Sequence, residues 1–519
     1  MSFRLGIDVG GTNTDAVILD RDNRVTAKAK CPTTPDISTG IQGAVDRVLQ
    51  ESKVDPSGIL YAMLGTTHAT NAIVERKGLS KVGVIRLGAP SGLAIPPMMD
   101  WPSDIVSHIG SDYHMVKGGY EYDGKPISHP ENEEIEQALR KLKDSAIEAL
   151  AVSCVFSPVN NDQEMVVREL AIEILGKDFP VSLSSEVGTI GILERENATV
   201  LNAAILRIAD SAYGAFQSIL ESHGVTADLF ITQNDGTLMG VDYARRYPVL
   251  TIASGPTNSL RGAAFLSGLD EAIVVDVGGT TTDVGILKNG FPRESTMGVE
   301  IGGVRTNFRM PDLISIGLGG GSIVREESGD FLVGPESVGY RITEEALVFG
   351  GKTLTATDVA VASGFSALGE PERVSGLEKK TVQRVAQRIA ETVEEVIDRI
   401  KTSSAMIPVV VVGGGSILLP NTLKGASDVV RPENFDVANA IGAAISQVSG
   451  SIDGVFDVAS KGRDAIIQEV KESAIREAIR AGATQESVEI VDVEEIPLAY
   501  LPSNAVRFRV KAVGSLAGK

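Results

Sequence analysis

The sequence predicts an α/β protein in which one architecture is used twice, with a small α+β appendage at the C-terminal end. Three observations predict it. An eight-residue stretch recurs, DVGGTNTD at Asp8–Asp15 and DVGGTTTD at Asp276–Asp283, with seven letters of eight in agreement at a constant offset. Strand-like runs flank both copies, RLGI and AVILD around the first and AIVV and VGILK around the second. Beyond each copy, apolar runs alternate with segments of helical periodicity.

Each recurring stretch reads as a strand, a tight turn and a second strand. Paired glycines accept φ > 0 and let a backbone come close to a ligand. Successive N–H groups in such a turn make an anion-binding concavity. The threonines Thr12, Thr14, Thr280 and Thr281 and the amide of Asn13 add polar groups. Asp8 and Asp276, at the ends of the first strands, are hard oxygen ligands suited to Mg²⁺ or its waters. A phosphate cradle beside a metal-binding carboxylate suits a nucleoside triphosphate. A single copy would read equally well as an ordinary glycine hairpin; two copies, each opening half of a long chain, favour the ligand reading. No GK[ST] follows, so this is not a Walker loop, and a strand rather than a helix comes next, so it is not the dinucleotide fingerprint.

Composition narrows the class. The chain has 519 residues, 43% hydrophobic and 22% charged, which fits a globular protein of several domains. Formal net charge is −20 with no basic run, which argues against nucleic acid and anionic membrane as partners. Cys31 and Cys154 lack CxxC partners, so neither a zinc site nor a disulfide framework is expected. Strand-like sequence begins at Phe3 and no apolar run reaches the length of a membrane span, which predicts a cytoplasmic protein without a signal peptide.

Taken in order, the first 35 residues predict strands at 4–9, 16–20 and 25–31, then a helix over 37–52 with Ile41, Val45, Val48 and Leu49 on one face. YAMLGTTHATNAIVERKG reads as a strand, a polar turn and a helix. A strand at 82–87 precedes a Gly-, Pro- and aromatic-rich insertion over 88–130 that holds Trp101. A charged helix over 131–143, an apolar strand at 149–156 and a helix over 162–175 follow. In the second half, IGLGGGSI (Ile316–Ile323) precedes an insertion over 325–355. An amphipathic helix over 376–400 leads into PVVVVGGGSILLP (Pro408–Pro420), a buried parallel-type strand ending in glycines. A helix over 437–448 carries Asn439 and Gly442. The tail predicts a helix over 464–481 and strands at 488–493 and 506–513, more a packing or partner surface than a catalytic one.

Three strands followed by alternating helices and strands is the order of a ribonuclease-H-like domain. With the two DVGGT turns, the chain resembles the actin, hexokinase and heat-shock chaperone ATPase superfamily. The resemblance implies two such domains with ATP in the cleft between them: an N-terminal domain over 1–190, a second over 191–455, and the appendage over 456–519. It implies that Gly10, Gly11, Thr12, Asn13 and Thr14 form one phosphate loop and Gly278, Gly279, Thr280 and Thr281 the other. Gly413, Gly414, Gly415 and Ser416 resemble the adenosine loop, where bare backbone admits base and ribose; a plain turn is the competing reading of GGGS alone. The helix with Asn439 and Gly442 resembles a connecting helix.

Further stretches narrow the match. LGTTHATNAIVERKG (Leu64–Gly78), RENATVLNA (Arg195–Ala203), TQNDGTLM (Thr232–Met239), SGPTNSLRGA (Ser254–Ala263), GLGGGSI with Gly319 and Gly320, and ATD (Ala356–Asp358) occur in this order. Together they resemble the hydantoinase/oxoprolinase A family, ATP-dependent subunits of N-methylhydantoinase and 5-oxoprolinase-like enzymes, to which subunits of acetone and acetophenone carboxylases are related. THATN stands where many relatives have TVATN, and QNDG where many have QSNGG. The PGPACYG stretch expected after VGPES is missing. The resemblance implies transfer of the ATP γ-phosphoryl to the oxygen of a small cyclic amide or related carbonyl compound, with Mg²⁺ near Asp8 and Asp276. It also implies a second, hydantoinase B-like or other subunit and a homo-oligomer. A reactivating ATPase acting on a partner protein and a sugar or small-acid kinase are the competing classes.

Asp8, Asp276 and His68 are the catalytic candidates. On the substrate side, Thr66, Thr67, His68 and Asn71 sit at a strand-to-helix turn, where His68 could bond a carbonyl or move a proton; a helix cap is the competing reading. Arg195 could hold an anionic substrate, against a solvated cluster of Glu194, Arg195, Glu196 and Asn197. Asn234 and Asp235 could reach the cleft from a strand end, against a plain turn. His108, His114, His129 and His223 are expected at the surface.

Overall fold

The computed structural model describes residues 2–33, 37–295, 298–307, 310–327, 329–458, 462–498 and 505–516. Five sheets organise these residues. In the largest, Phe3–Val9 pairs antiparallel with Asn13–Leu19, which pairs antiparallel with Val25–Pro32. On its other side Phe3–Val9 pairs parallel with Ile59–Thr66, which pairs parallel with Asp228–Thr232.

The second sheet repeats that plan. Ala272–Val277 pairs antiparallel with Thr282–Lys288, and that strand antiparallel with Leu313–Ile316. On its other side Ala272–Val277 pairs parallel with Ile407–Val412, and that strand parallel with Ala426–Val430. Numbered by sequence within each half, the five strands named in each sheet read 3-2-1-4-5. The repeated octet is therefore the visible part of a repeated topology.

The strands Val82–Ala89 and Ala149–Cys154 do not extend the first sheet. They pair with each other in a separate parallel sheet of four strands, with Tyr113–Lys117 and Val181–Leu183 at its edges. The fifth strand of the first sheet comes instead from Asp228–Thr232, after a helix of 31 residues, Ile192–Ser222. Val82–Ala89 and Ala149–Cys154 are buried along their full lengths. Such runs signal a buried strand without saying in which sheet. The long helix ties the units together: Ala209, Tyr213 and Phe216 join the core of the first sheet, and Ala198 through Ile205 the core under the four-stranded one. The insertion over 88–130 contributes the helix Ser103–Ile109, and Trp101 is buried in that second core.

The C-terminal segment continues the first sheet. Val448–Asp457 pairs with Leu238–Gly240 and with Ala505–Gly514, and Glu489–Pro497 pairs with Ala505–Gly514. The helix Arg463–Arg480 packs on it through Ile466, Val470, Ala474 and Ala478.

The strongest periodic segments form as read. The helix Lys379–Ile400 buries Val382, Val385, Ile389, Val393, Val396, Ile397 and Ile400 against the second sheet. Val409–Val412 are fully buried on both faces. Each such valine contributes about 1.5–3 kcal/mol by leaving water. Among the described residues, no helix is long and apolar enough to cross a membrane.

Two helices join the halves. Ser254–Ser267 and Ala438–Ile445 cross at bare backbone: a Cβ on Gly262 would lie 1.9 Å from the carbonyl oxygen of Ala438, and one on Gly442 1.9 Å from that of Asn258. This close crossing carries Asn258 and Asn439 to the first turn.

Candidate functional site

The two glycine turns are built alike. Gly10 N–H donates to the Asn13 carbonyl at 3.0 Å, and Gly278 N–H to the Thr281 carbonyl at 2.9 Å. They face each other: Thr12 Oγ1 and Thr280 Oγ1 are 3.2 Å apart. Outer segments brace each turn. Thr33 donates its hydroxyl to the Gly10 carbonyl at 2.8 Å. Gly320 and Gly321 N–H groups donate to the carbonyls of Gly278 and Gly279 at 3.0 and 2.7 Å. Gly319 packs so tightly on the second turn that a Cβ there would meet Thr280 N at 2.5 Å.

Between the turns lies a cleft of about 560 Å³. Its lining includes Asp8, Gly10–Asn13, Thr67, Asp276, Gly278–Thr281, Gly320 and Gly413–Gly415, all anticipated from sequence. The glycines leave real space: a Cβ on Gly11 or Gly414 would meet nothing within 4 Å. Gly413 is held differently, at φ +85° with a Cβ position 2.3 Å from Asp276 Oδ1, so bare backbone is required there. Ile342, Phe349, Leu368 and Ile417 add apolar side chains to the lining.

Asp8 sits at the floor, 3% exposed. Its Oδ1 accepts from Asn258 Nδ2 at 2.9 Å and its Oδ2 from Asn439 Nδ2 at 3.0 Å. Burial pushes its carboxyl up to about 6, against the pull of those two amides. Burial also raises Asp276, whose side chain bonds Ser259. Five carboxylates line the cleft: Asp8, Asp15, Asp276, Asp283 and Asp436. Among the described lining residues there is one cation, Lys30, whose Nζ lies 2.6 Å from Asp15 Oδ1. Asp283 is pushed up to about 6, chiefly by burial, and bonds the Ser315 hydroxyl. Among the described residues no group of three or more metal-ligating side chains comes together.

Most of the other candidates lie away from this lining. Thr14 is fully buried within its strand, and Ser416 is buried behind the Gly413 turn. Thr66 is buried, and its hydroxyl accepts from His68 N–H at 3.1 Å. His68 is half-buried, and burial lowers its pKa. Thr67 reaches the cleft without the side-chain cap bond that a helix cap would make, its hydroxyl donating to the Val9 carbonyl at 3.3 Å. Asn71 is exposed one turn further along and donates to Thr67 Oγ1 at 3.3 Å.

Arg195 is neither in the cleft nor solvated. It is 1% exposed, donating to Ser184 Oγ at 3.0 Å and to the carbonyls of Thr189 and Cys154 at 3.0 and 2.5 Å. Its neighbour Glu196 is buried too, paired with Arg86 and accepting from Ser153 Oγ at 2.5 Å. A charge pair that looked solvated therefore joins the long helix to the four-stranded sheet. Asn234 and Asp235 form the turn before Leu238–Gly240, and Asp235 is taken up by Lys511 at 2.8 Å and Thr237 at 2.6 Å. Of the other histidines, His223 packs against Asp46 at 2.5 Å.

Sequence reading passed over Asp15, Lys30, Asp283, Asn258 and Asp436. Asp15 and Asp283 close the two octets, which was the available signal. Asn258 lies in the SGPTNSLRGA stretch, but only the helix crossing brings its side chain to Asp8; Lys30 carries no signal, because strand register brings it in.

Residues 4–175 match the hydantoinase/oxoprolinase N-terminal region and residues 195–367 match hydantoinase/oxoprolinase. The acetophenone carboxylase gamma subunit of Aromatoleum aromaticum is 29% identical over 70% of this chain and 53% of its own length. The caprolactamase subunit alpha of Pseudomonas jessenii is 28% identical over 71% of this chain and 55% of its own. 5-Oxoprolinase 1 of Arabidopsis thaliana is 27% identical over 70% of this chain and 31% of its own. The chain thus spans about half the length of the first two and about a third of the last. Among solved structures, the ATP-dependent caprolactamase from Pseudomonas jessenii superposes with a TM-score of 0.77 at 20% identity, covering 99% of this chain and 88% of that one. Nucleotide-free acetone carboxylase gives 0.70 at 18%, covering 99% and 88%. Both share the mixed α/β fold.

Proposed function

The chain belongs to the hydantoinase/oxoprolinase family, and from that premise we propose that it is an ATP-dependent subunit that phosphorylates the carbonyl oxygen of a small cyclic amide. The observation that carries the reading is the pair of matched turns facing one cleft, with the Gly413 turn and four apolar side chains on the same lining. The matching 3-2-1-4-5 sheets support an actin-like layout, its halves opening near residues 1 and 272. In this layout Gly10–Asn13 and Gly278–Thr281 cradle the phosphates, and the base lies toward Ile342, Phe349 and Leu368.

An amide carbonyl is a poor electrophile. Moving the γ-phosphoryl group onto its oxygen forms a new P–O bond as the bond to the β-phosphate oxygen breaks. The departing electron pair stays on ADP, and the activated carbon becomes open to water. Such a transfer needs positioning and charge neutralisation more than covalent help. Five carboxylates with one lysine leave a triphosphate uncompensated, so the donor set fits a divalent cation. Mg²⁺ would supply Lewis acidity there. Asp8 and Asp276 are its candidate holders. Because Asp8 already accepts two amides, it would act on such an ion through its waters. Thr67, with His68 behind it, is the candidate on the carbonyl side.

A second reading has a specific observation behind it: the carboxylase subunit and the caprolactamase subunit match almost equally well. A carboxylase-type subunit would phosphorylate the enol oxygen of a ketone, an α-proton passing to a base as the bond to the β-phosphate oxygen breaks. Both relatives are subunits by name, and a partner subunit is part of the proposal. The test is ATP turnover against a panel of lactams, hydantoins and ketones with bicarbonate, with and without a co-expressed partner. Stimulation by cyclic amides supports the hydrolase reading and stimulation by ketones the carboxylase reading. Stimulation by a partner protein alone would instead support a reactivating ATPase.

A further inference from the structure

The two halves share a row of three residues across three adjacent strands. In the first, Asp8 stands opposite Asp15, and Asp15 opposite Lys30. In the second, Asp276 stands opposite Asp283, and Asp283 opposite Ser315. The first two places are identical. The third has diverged, a cation in one half and a hydroxyl in the other.

Lys30 lines the cleft, 32% exposed along its side chain, with its ammonium on Asp15, whose side chain is 4% exposed. Its positive charge is felt by Asp276 across the cleft. An ammonium has three donors, so its ion pair with Asp15 leaves donors for a second partner. The four-carbon stem lets the head move while Asp15 keeps it near the first turn.

We propose that Lys30 is a catalytic residue that contacts the phosphoryl group in transfer, with Asp15 as its positioning residue. The inference rests on the ATP reading above. As the γ-phosphoryl group passes from the β-phosphate oxygen to the acceptor oxygen, its three equatorial oxygens carry charge into a cleft dominated by carboxylates. Lys30 is the one described cation on that lining able to meet it. The lysine keeps its proton throughout and neutralises charge only. Ser315 supplies no charge from the other half, so the contribution is one-sided.

The test reads binding, not turnover. Wild type should bind Mg·ADP more tightly when aluminium fluoride is added as a mimic of the phosphoryl group in flight. Lys30→Met should lose that enhancement by about 10²-fold, while its affinity for a non-hydrolysable ATP analogue changes only a few-fold. Lys30→Arg, which keeps the charge, should restore part of it. Asp15→Asn removes the ion pair and leaves the ammonium, so it should keep more of the enhancement than Lys30→Met. Aluminium fluoride enhancement undiminished in Lys30→Met would overturn the role of Lys30. So would equal losses in Lys30→Met and Asp15→Asn, which would reduce the pair to a structural one. Wild type that binds no nucleotide at all would instead remove the function proposed above, and this inference with it.

Discussion

Asp8 is held by amides from two different helices, Asn258 and Asn439, and its counterpart Asp276 bonds Ser259. Asp8→Asn places an amide donor where two donors already point, and Asp276→Asn removes the charge at the second turn. Each variant should lose ATP turnover by about 10²-fold or more while keeping the wild-type circular dichroism spectrum. Normal turnover by both would refute the assignment. Burial also makes a pH prediction. Asp8 and Asp283 are pushed up to about 6 in the folded chain, above the ordinary carboxylate value. A raised folded value means that the native state holds these protons more tightly than the unfolded state does. That stabilisation is complete below the ordinary carboxylate pKa and is lost as pH rises through about 6. Without nucleotide or metal, the melting temperature of Asp283→Asn should therefore gain on wild type between about pH 4 and pH 7. A difference independent of pH would show that Asp283 is not perturbed. At this scale the glycines and the octet aspartates are legible in the chain, because turn chemistry is local. Lys30, Asn258 and the burial of Arg195 are not, because each depends on what stands opposite.

Helices and strands were legible wherever periodicity was strong. The valine and isoleucine spacing of Lys379–Ile400 and the run before Gly413 leave one physical solution each. Sheet membership was not legible, since Val82–Ala89 and Ala149–Cys154 read as core strands of any sheet. The helix crossing at Gly262 and Gly442 is the element on which the floor of the cleft depends. A valine at Gly442 would drive its Cβ into the Asn258 backbone. Gly442→Val should destabilise the chain by about 1–3 kcal/mol and weaken binding of a fluorescent ATP analogue, because Asn258 and Asn439 leave Asp8 together. Unchanged binding would mean that the crossing tolerates more separation than its geometry indicates. Gly413→Ala makes a companion case at φ +85°, where strain and a clash with Asp276 add.

At the scale of the whole molecule, the two turns touch through Thr12 and Thr280, and Lys511 at 2.8 Å from Asp235 lies 3.5 Å from Glu294. These contacts bridge the two halves at the cleft and at one point beyond it. A ligand that is gripped by both turns binds the closed form better and shifts the population toward it. The radius of gyration from small-angle scattering should fall when a Mg·ATP analogue is added, with the bending near residues 185–200 and 435–450. An unchanged radius, with binding confirmed independently, would count against closure. What the chain alone determines about this protein is what local rules can carry: two matched glycine turns, the periodic helices, the buried strands, and a formal net charge of −20. The tertiary structure decided which strands share a sheet, that the C-terminal strands extend the first one, and which lysine faces the carboxylates. The physical reason is range. Turn and helix preferences act over a few neighbouring residues, whereas strand register and helix crossing are settled by burial between segments hundreds of residues apart.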